Sequence, residues 1–280
     1  MDIKRILQKH GFYFKKAYGQ NFLTDEFLLD DIVVSAGITK DDTVIEIGCG
    51  AGTLTRAIAK HAGRVIGYEI DTKLTPVLDE MLADFSNVEI VFEDIMKQNL
   101  TELEKDFKDG YYVVANLPYY ITTPILMKFL EESKYVKGLV VTVQKEVALR
   151  LCAKENTSDY GAITAMINLM GDAYLTKHIG REQFLPPPSV DSAVVKIVIN
   201  RNKFKPKSID TYRETVKIAF GNRRKTLCNN LMNSLKLTRP CAEEILTSCS
   251  IDLLARGETL SAEKFLELSD CIYELRRKNG

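Results

Sequence analysis

The segment from Asn116 to Tyr119, Asn-Leu-Pro-Tyr, directly follows the β-branched run Tyr111–Ala115 and carries side chains suited to chemistry on a base. An adenine amino group is a poor nucleophile because its lone pair is delocalised into the ring. The side-chain oxygen of Asn116 and a backbone carbonyl of Leu117 or Pro118 could each accept one amino hydrogen and direct electron density toward a methyl donor. Pro118 restricts Leu117 to extended geometry, and Tyr119 offers a ring for base stacking, worth about 1–3 kcal/mol. The structural alternative is a proline turn with buried tyrosines.

A glycine-rich loop precedes this segment, with Gly48, Gly50 and Gly52 at a predicted strand-to-helix junction. A phosphate-binding dinucleotide loop would carry its third glycine at position 53, where this chain has Thr53. Glu46 is expected to place negative charge at the loop mouth, which suits a cation better than a pyrophosphate. S-adenosylmethionine (SAM) offers a sulfonium and an amino group where NAD offers two phosphates, so the loop favours SAM. A glycine turn without a ligand is the alternative.

Two further acids fall at the ends of the next predicted strands, where open α/β sheets bind ligands. Glu69 could accept hydrogen bonds from both ribose hydroxyls of such a cofactor, and Asp94 could accept one from its adenine amino group. Each acid alone could instead be the N-cap of a following helix. The order of the glycine loop and the two acids on successive strands favours the cofactor interpretation.

The proline-rich segment Phe184–Ser192, Phe-Leu-Pro-Pro-Pro-Ser-Val-Asp-Ser, precedes the last predicted strand. A stiff polyproline stretch holds its neighbours in place at little entropic cost. We therefore expect Phe184 to close over the second face of the adenine. The alternative is a lead-in to an edge strand.

Short β-branched runs alternate with amphipathic stretches between residues 43 and 200, which predicts a mostly parallel sheet with helices on both faces. The last two strands follow each other without a long helix and predict an antiparallel hairpin at the sheet edge. A basic linker begins at Arg201, and four predicted helices follow it. The chain is thus predicted to have an α/β catalytic domain, residues 1–200, and a small all-helical domain, residues 201–280. Predicted N-caps of these helices are Ser208, Thr238 and Ser261.

The composition of the 280 residues, 45% hydrophobic and 27% charged, is that of a globular protein. The longest uncharged run, Gly110–Met127, contains two prolines, which argues against a membrane helix. The N-terminus is charged and predicts no secretory signal. Six cysteines and three histidines lack metal-ligand spacing. A cytoplasmic protein with reduced thiols and no metal is the expectation.

Net charge is zero, but the charges are segregated. Residues 196–240 hold twelve Lys and Arg against two acids, a net of +10, and the basic N-terminal segment, residues 1–24, has a net of +4. Such a distribution allows local binding of a polyanion, while a solvated helical surface is the alternative. The candidate RNA-binding residues are Arg201, Lys203, Lys205, Lys207, Arg223, Arg224 and Lys225.

With these motifs the chain resembles the ribosomal RNA adenine dimethyltransferases over nearly its full length. The motifs that carry the resemblance are Gly19–Leu23, Glu46–Gly50, Glu69 with Asp94, Asn116–Tyr119, Phe184–Ser192 and Phe220–Leu227. The resemblance implies a Rossmann-like SAM-dependent methyltransferase sheet and a helical rRNA-binding domain. It also implies contacts to SAM from Asn21, Leu23, Gly48, Glu69, Asp94 and Asn116, with Gln20 nearby.

Within that family the chain looks most like the bacterial 16S branch, which dimethylates two adjacent adenines in the terminal hairpin loop of small-subunit rRNA. The implied partner is 16S rRNA in a small-subunit precursor, and the implied state is a monomer. The chain departs from the family at Cys49, where proline is usual, and at Gly221-Asn222, where Ser-Gln is commoner. The alternatives are the sister branch that methylates 23S rRNA, an assembly factor whose binding matters more than its catalysis, and an NAD-dependent dehydrogenase.

Overall fold

The computed structural model describes residues 2–15 and 19–279, apart from the side chain of Asn279. The basic N-terminal segment is therefore described only in part, and its Lys16 lies outside the described residues. Two compact units are present. The first comprises the chain up to residue 148 together with 174–199, and the second comprises 149–173 together with the chain from residue 200.

The strands of the described chain are β1 (Phe22–Leu23), β2 (Thr43–Ile47), β3 (Arg64–Tyr68), β4 (Val88–Val91), β5 (Tyr111–Asn116), β6 (Val136–Gln144), β7 (Gly171–Ile179), β8 (Phe184–Leu185) and β9 (Ser192–Ile199). The α-helices are α1 (Ile3–Lys9), α2 (Glu26–Ala36), α3 (Thr53–His61), α4 (Thr75–Leu82), α5 (Leu100–Leu103), α6 (Thr122–Glu132), α7 (Lys145–Leu151), α8 (Ala162–Met170), α9 (Ile209–Gly221), α10 (Leu227–Leu235), α11 (Arg239–Ser248) and α12 (Ala262–Asn279).

Seven strands form one mixed sheet in the order β4-β3-β2-β5-β6-β9-β7, and helices cover both of its faces. Strands β4, β3, β2, β5 and β6 are parallel, and β9 runs antiparallel to β6. The inner strands are buried on both faces, which explains why they are nearly continuous runs of apolar residues. The predicted Rossmann-like sheet is confirmed.

The order of the strands determines where the chemical motifs lie. Chain connections leave β2 and β5 in opposite directions, so the point where the strand order reverses lies between these neighbours. Because the carboxyl ends of parallel strands share one sheet edge, Asp94, Glu69 and Gly48 lie along that edge after β4, β3 and β2. Asn116 lies there as the last residue of β5. Open α/β sheets bind ligands at such a position.

Two clusters of buried side chains hold the first unit together. The larger packs α2 and α3 against the sheet and includes Ile32, Ile58 and Val44. The smaller joins α1 and α4 beside the glycine loop, with Leu7 and Leu78 among its members.

A two-stranded antiparallel sheet, which the sequence did not predict, pairs β1 with β8. Phe22 lies opposite Leu185, and Leu23 lies opposite Phe184. This pairing brings the motif near the N-terminus together with the proline-rich segment. Two residues per strand give too little periodicity for detection from the sequence.

The second unit differs from the predicted helical domain in one segment. It includes residues 149–173, which contain α8, in addition to the helices α9 to α12. The hydroxyl of Tyr212 in α9 donates to the carbonyl of Ala165 in α8 at 3.1 Å, which ties α8 to this unit. Of the predicted N-caps, Ser208 and Ser261 accept backbone amides of their helices. Thr238 is also the N-cap residue of its helix, α11, but its side chain accepts no backbone amide.

Candidate functional site

A cavity of about 220 Å³ lies at the carboxyl edge of the sheet in the first unit. Its walls come from the chain before β1, the glycine loop, the ends of β3 and β4, and the Asn116 segment. The residues that line it are Gly19, Gln20, Asn21, Phe22, Ile47, Gly48, Gly50, Tyr68, Glu69, Ile70, Glu93, Asp94, Ile95, Asn116, Pro118, Tyr120, Ile121 and Ile125. The structure thus brings together Gln20, Asn21, Gly48, Gly50, Glu69, Asp94, Asn116 and Pro118 from the sequence-predicted set.

The glycine loop adopts backbone conformations that favour glycine. Gly48 has φ of +76° and Gly50 has φ of +55°. A Cβ added at Gly50 would lie 2.6 Å from the Phe22 ring, whereas one added at Gly48 would meet no atom within 4 Å. The loop is therefore packed against β1 at Gly50 and open beside Gly48, where it lines the cavity.

Three backbone amides fix the Glu69 carboxylate. Gly50 donates to Oε2, and Ile70 and Asp71 donate to Oε1, each at 2.8 Å. Glu69 is only 7% exposed, yet it lines the cavity. A carboxylate held by amides presents a fixed acceptor to a ligand at no further cost in side-chain entropy.

Asp94 fits both interpretations that the sequence allowed. Its Oδ1 accepts the amide of Met96 at 2.9 Å and caps the short 3₁₀ helix Ile95–Lys97. Asp94 also lines the cavity. The cap therefore holds the carboxylate in place beside the space where a ligand would lie.

The side chain of Asn116 is oriented by a backbone carbonyl. Its Nδ2 donates to the carbonyl of Asn21 at 2.8 Å. Because the amide nitrogen is engaged, Oδ1 is the atom that remains to accept a hydrogen bond. The carbonyl of Pro118 accepts the Ile121 amide at 3.1 Å within a turn. Leu117 is buried and does not line the cavity, so the role of its carbonyl as second acceptor stays a prediction.

Two adjacent tyrosines follow Pro118, and only the second lines the cavity. Tyr119 is half-buried and does not line the cavity; its hydroxyl lies 3.0 Å from that of Ser192. Burial raises the pKa of the Tyr119 phenol, which keeps it neutral. Tyr120, which the sequence analysis did not single out, lines the cavity and is 63% exposed. The sequence signal for Tyr120 was its position next to Tyr119, directly after the Asn-Leu-Pro-Tyr motif.

Phe184 and Leu23 do not reach the cavity, so the expectation that Phe184 closes over an adenine is wrong for this structure. Phe184 is 4% exposed and packs in the larger core cluster with Leu23 and Leu29. The pairing of β1 with β8 turns both side chains into the core. Leu23 would therefore serve a ligand only by supporting β1.

Glu46 also lies away from the cavity, and the expectation of negative charge at the loop mouth is wrong. It is 1% exposed on β2 and does not line the cavity. Burial raises the pKa of the Glu46 carboxyl to about 8, with a smaller contribution from the charge on Glu69. Burial likewise raises the pKa of the neighbouring Cys49 thiol well above its ordinary value. Glu46 is therefore a neutral carboxylic acid beneath the loop at pH 7.

The candidate RNA-binding residues of the second unit divide into two groups. In the first group the charge is already engaged: Lys203 pairs with Asp172 at 2.7 Å, and Lys207 pairs with Glu274 at 2.6 Å. Arg223 donates to the carbonyls of Ser158 and Tyr160. Arg201 is partly buried. In the second group, Lys205, Arg224 and Lys225 are exposed, and no ion pair to them forms among the described residues.

Within residues 2–15 and 19–279, no group of three or more His, Cys, Asp or Glu side chains that could hold a metal ion occurs. The six cysteines of the chain are free thiols. No helix in these ranges is both long and apolar enough to cross a membrane.

Comparison with known proteins shows which protein family this chain matches. The model of the family described as ribosomal RNA adenine dimethylase matches residues 11–272. A protein named ribosomal RNA small subunit methyltransferase A from Clostridioides difficile is 46% identical over 272 residues, covering 96% of this chain and 94% of the relative. The Bacillus cytotoxicus protein of the same name is 44% identical over 283 residues, covering 98% and 97%.

Solved structures show the same relationship. A dimethyladenosine transferase from Plasmodium falciparum superposes with a TM-score of 0.77 at 26% identity, covering 92% of this chain and 98% of that one. The 23S rRNA methyltransferase ErmE gives a TM-score of 0.69 at 26% identity, covering 90% and 100%. The chain therefore shares fold and sequence with enzymes that modify adenine in ribosomal RNA.

We predict that the buried acid at position 46 makes the stability of this protein depend on pH. In the unfolded chain Glu46 ionises near its ordinary pKa of 4.5, whereas the folded state keeps its proton up to about pH 8. Between these values the folded state binds more protons, so its stability falls as pH rises. Relative to the wild type, Glu46→Gln should therefore become more stable between pH 5 and 8, by about 1.4 kcal/mol per pH unit at most, and level off above pH 8.

Urea unfolding at several pH values measures this difference. The control is Glu214→Gln, because Glu214 pairs with Arg276, whose hydrogen bonds lower the pKa of the Glu214 carboxyl and keep it ionised throughout. The difference between wild type and control should stay constant from pH 6 to 9. A constant difference for Glu46→Gln as well would show that Glu46 is not a buried neutral acid.

Proposed function

The chain belongs to the ribosomal RNA adenine dimethylase family, and on that premise we propose that it dimethylates the 6-amino groups of two adjacent adenosines in the 3′-terminal hairpin loop of 16S rRNA, with SAM as methyl donor. The observation that carries the proposal is the hydrogen bond from the Asn116 amide to the Asn21 carbonyl at the cavity. It leaves the Asn116 oxygen to accept from an amino group. The relatives named for the small subunit, at 41–46% identity, support 16S over 23S rRNA.

The residues of the cavity fit an adenosine-containing cation. Glu69 and Asp94 supply carboxylates for the ribose and adenine ends of SAM, and the open backbone beside Gly48 leaves room for the ligand. When bound, SAM supplies a methyl group on a positively charged sulfur. Glu46, being buried and neutral, supports the loop from beneath and supplies no charge to this cation.

Catalysis on the acceptor side rests on position and electrostatics. Oδ1 of Asn116 and the carbonyl of Leu117 accept the two amino hydrogens of the target adenine and so raise electron density on its nitrogen. No general base has to act before attack: the nitrogen becomes positively charged when it receives the methyl group, and it then loses its proton to solvent. Fixed acceptors of this kind stabilise the developing charge without reorganising at the moment of reaction.

The tyrosines after Pro118 hold the base. The stacking role stays a proposal for Tyr119: its ring does not line the cavity, but it follows Pro118, which does, and the contact of its hydroxyl with Ser192 restrains it. Tyr120 adds an exposed ring at the cavity wall, where a neighbouring base can stack. A hairpin loop suits this arrangement, because unstacked bases cost less to insert into a pocket.

The RNA backbone is held by the basic second unit in this proposal. The phosphate contacts come from Lys205, Arg224 and Lys225. Arg223 instead holds its own loop in place by donating to the backbone carbonyls of Ser158 and Tyr160. The protein acts as a monomer on a small-subunit precursor in the cytoplasm, where that subunit is assembled. Occupancy of the precursor can matter to assembly in addition to methylation, and a catalytically dead variant that still binds separates the two roles.

The first prediction of this proposal concerns Asn116. Asn116→Ala removes one acceptor of the amino group and should lower the methylation rate of unmodified small subunits by at least about a hundredfold, while RNA binding persists. Transfer of labelled methyl from SAM and a gel-shift titration measure the two quantities. The matched control is Asn99→Ala, which removes the N-cap of α5 outside the cavity and should cost stability without changing the rate. Near-normal turnover of Asn116→Ala would refute the assigned role.

The second prediction concerns the exposed cations. Replacing Lys205, Arg224 and Lys225 by Gln should weaken RNA binding and reduce the slope of log K against log salt by about 2. Replacing Lys60, Arg64 and Lys105 by Gln removes the same charge from the first unit and should leave the slope unchanged. An unchanged slope in the first variant would place the RNA phosphates elsewhere on the protein.

A further inference from the structure

A buried carboxylate outside the cavity joins two chain segments that meet at the site. Asp71 is 3% exposed and follows Glu69 after β3. Its Oδ1 accepts from the Lys15 ammonium at 2.8 Å, and its Oδ2 accepts from the Gln20 side-chain amide at 3.2 Å. The Oε1 atom of Gln20 in turn accepts the backbone amide of Lys15 at 2.8 Å. These bonds hold Lys15 and Gln20 together on Asp71.

The residues next to Gln20 contact the acceptor side of the cavity. Gly19 has φ of +59°, and a Cβ added there would lie 3.1 Å from the Cβ of Pro118. The side-chain amide of Asn21 donates to the Gly19 carbonyl, which keeps the turn compact. The Asn21 carbonyl accepts the Asn116 amide at 2.8 Å. Gln20 therefore contacts Asp71, while its neighbours Gly19 and Asn21 lie against the Asn116 segment.

The sheet order shows what this connection spans. Asp71 follows β3 and Asn116 ends β5, and β2 with its glycine loop lies between them. The contacts thus run across the carboxyl end of β2, from the strand that holds the donor-side carboxylate Glu69 to the strand that holds the acceptor-side amide. We infer that Asp71 is a positioning residue for methyl transfer: through Gln20 and Asn21 it sets the orientation of the Asn116 side chain.

The charge of Asp71 is suited to this role. Burial raises the pKa of its carboxyl, but hydrogen bonds from Lys15, the Lys73 amide and Gln20 outweigh burial, so that the pKa lies below its ordinary value. The carboxylate therefore stays ionised at neutral pH and remains an acceptor for all three donors. Asp71 does not line the cavity, so a change there acts on the reaction through the residues it holds.

The test rests on the proposed function and uses the full chain with unmodified small subunits. Asp71→Asn should lower kcat at least tenfold at saturating SAM, because Asn116 is then poorly oriented even when the donor is bound. KM for the subunit should change less than twofold. Lys15→Met removes the ion pair with Asp71 at a partly exposed position and should also lower kcat. This variant replaces Asp71→Asn in the test if Asp71→Asn does not fold.

The matched control is Glu80→Gln, since Glu80 also ties the N-terminal segment down, through Lys9 and His10, but away from Asn21. It should leave kcat unchanged. If the variants at Asp71 and Lys15 raise only KM for SAM while kcat at saturation stays normal, Asp71 supports the cofactor alone and the inference is wrong. A wild type that does not methylate the subunit would refute the proposed function instead, so the two failures are distinguishable.

Discussion

One hydrogen bond, from the amide of Asn116 to the carbonyl of Asn21, determines what the cavity can do. A carboxamide can present either its oxygen or its nitrogen to a ligand, and only the oxygen can accept from an amino group. The Asn21 carbonyl binds the nitrogen of the Asn116 carboxamide, so the oxygen is the atom left to face a ligand. Other elements of the first unit hold these two residues in place. Strand β5 holds Asn116. The packing of Gly50 against Phe22 and the pairing of β1 with β8 hold the chain beside Asn21.

The same edge of the sheet is organised by backbone amides. Glu69 accepts three of them, Asp94 accepts one, and Asp71 accepts one beside two side-chain donors. Carboxylates so held keep their position where parallel strands end. Glu46, with its side chain buried beneath the loop, is the opposite case, because burial raises its pKa to about 8 and leaves it neutral. The pKa of Glu46 is raised and that of Asp71 is lowered because their environments differ.

Much of the sheet could be predicted from the sequence, because parallel strands buried on both faces are apolar runs and their order along the chain fixes where the motifs meet. Glu69, Asp94 and Asn116 were found for this reason. Helix α8 carries little such signal, because its residues Ala162–Met170 are almost all buried and no polar face marks a helical period. Phe184 and Glu46 were misplaced because their direction depends on long-range pairing and on strand register. Spacing along the chain does not contain that information.

The orientation of the Asn116 carboxamide toward the target adenine can be measured directly in a single experiment. A crystal structure of this protein with S-adenosylhomocysteine and a short RNA hairpin carrying the two adenosines should show the target amino nitrogen within hydrogen-bond distance of Oδ1 of Asn116, with Nδ2 still on the Asn21 carbonyl. An adenine bound elsewhere, or a carboxamide turned so that its nitrogen faces the base, would contradict the central claim.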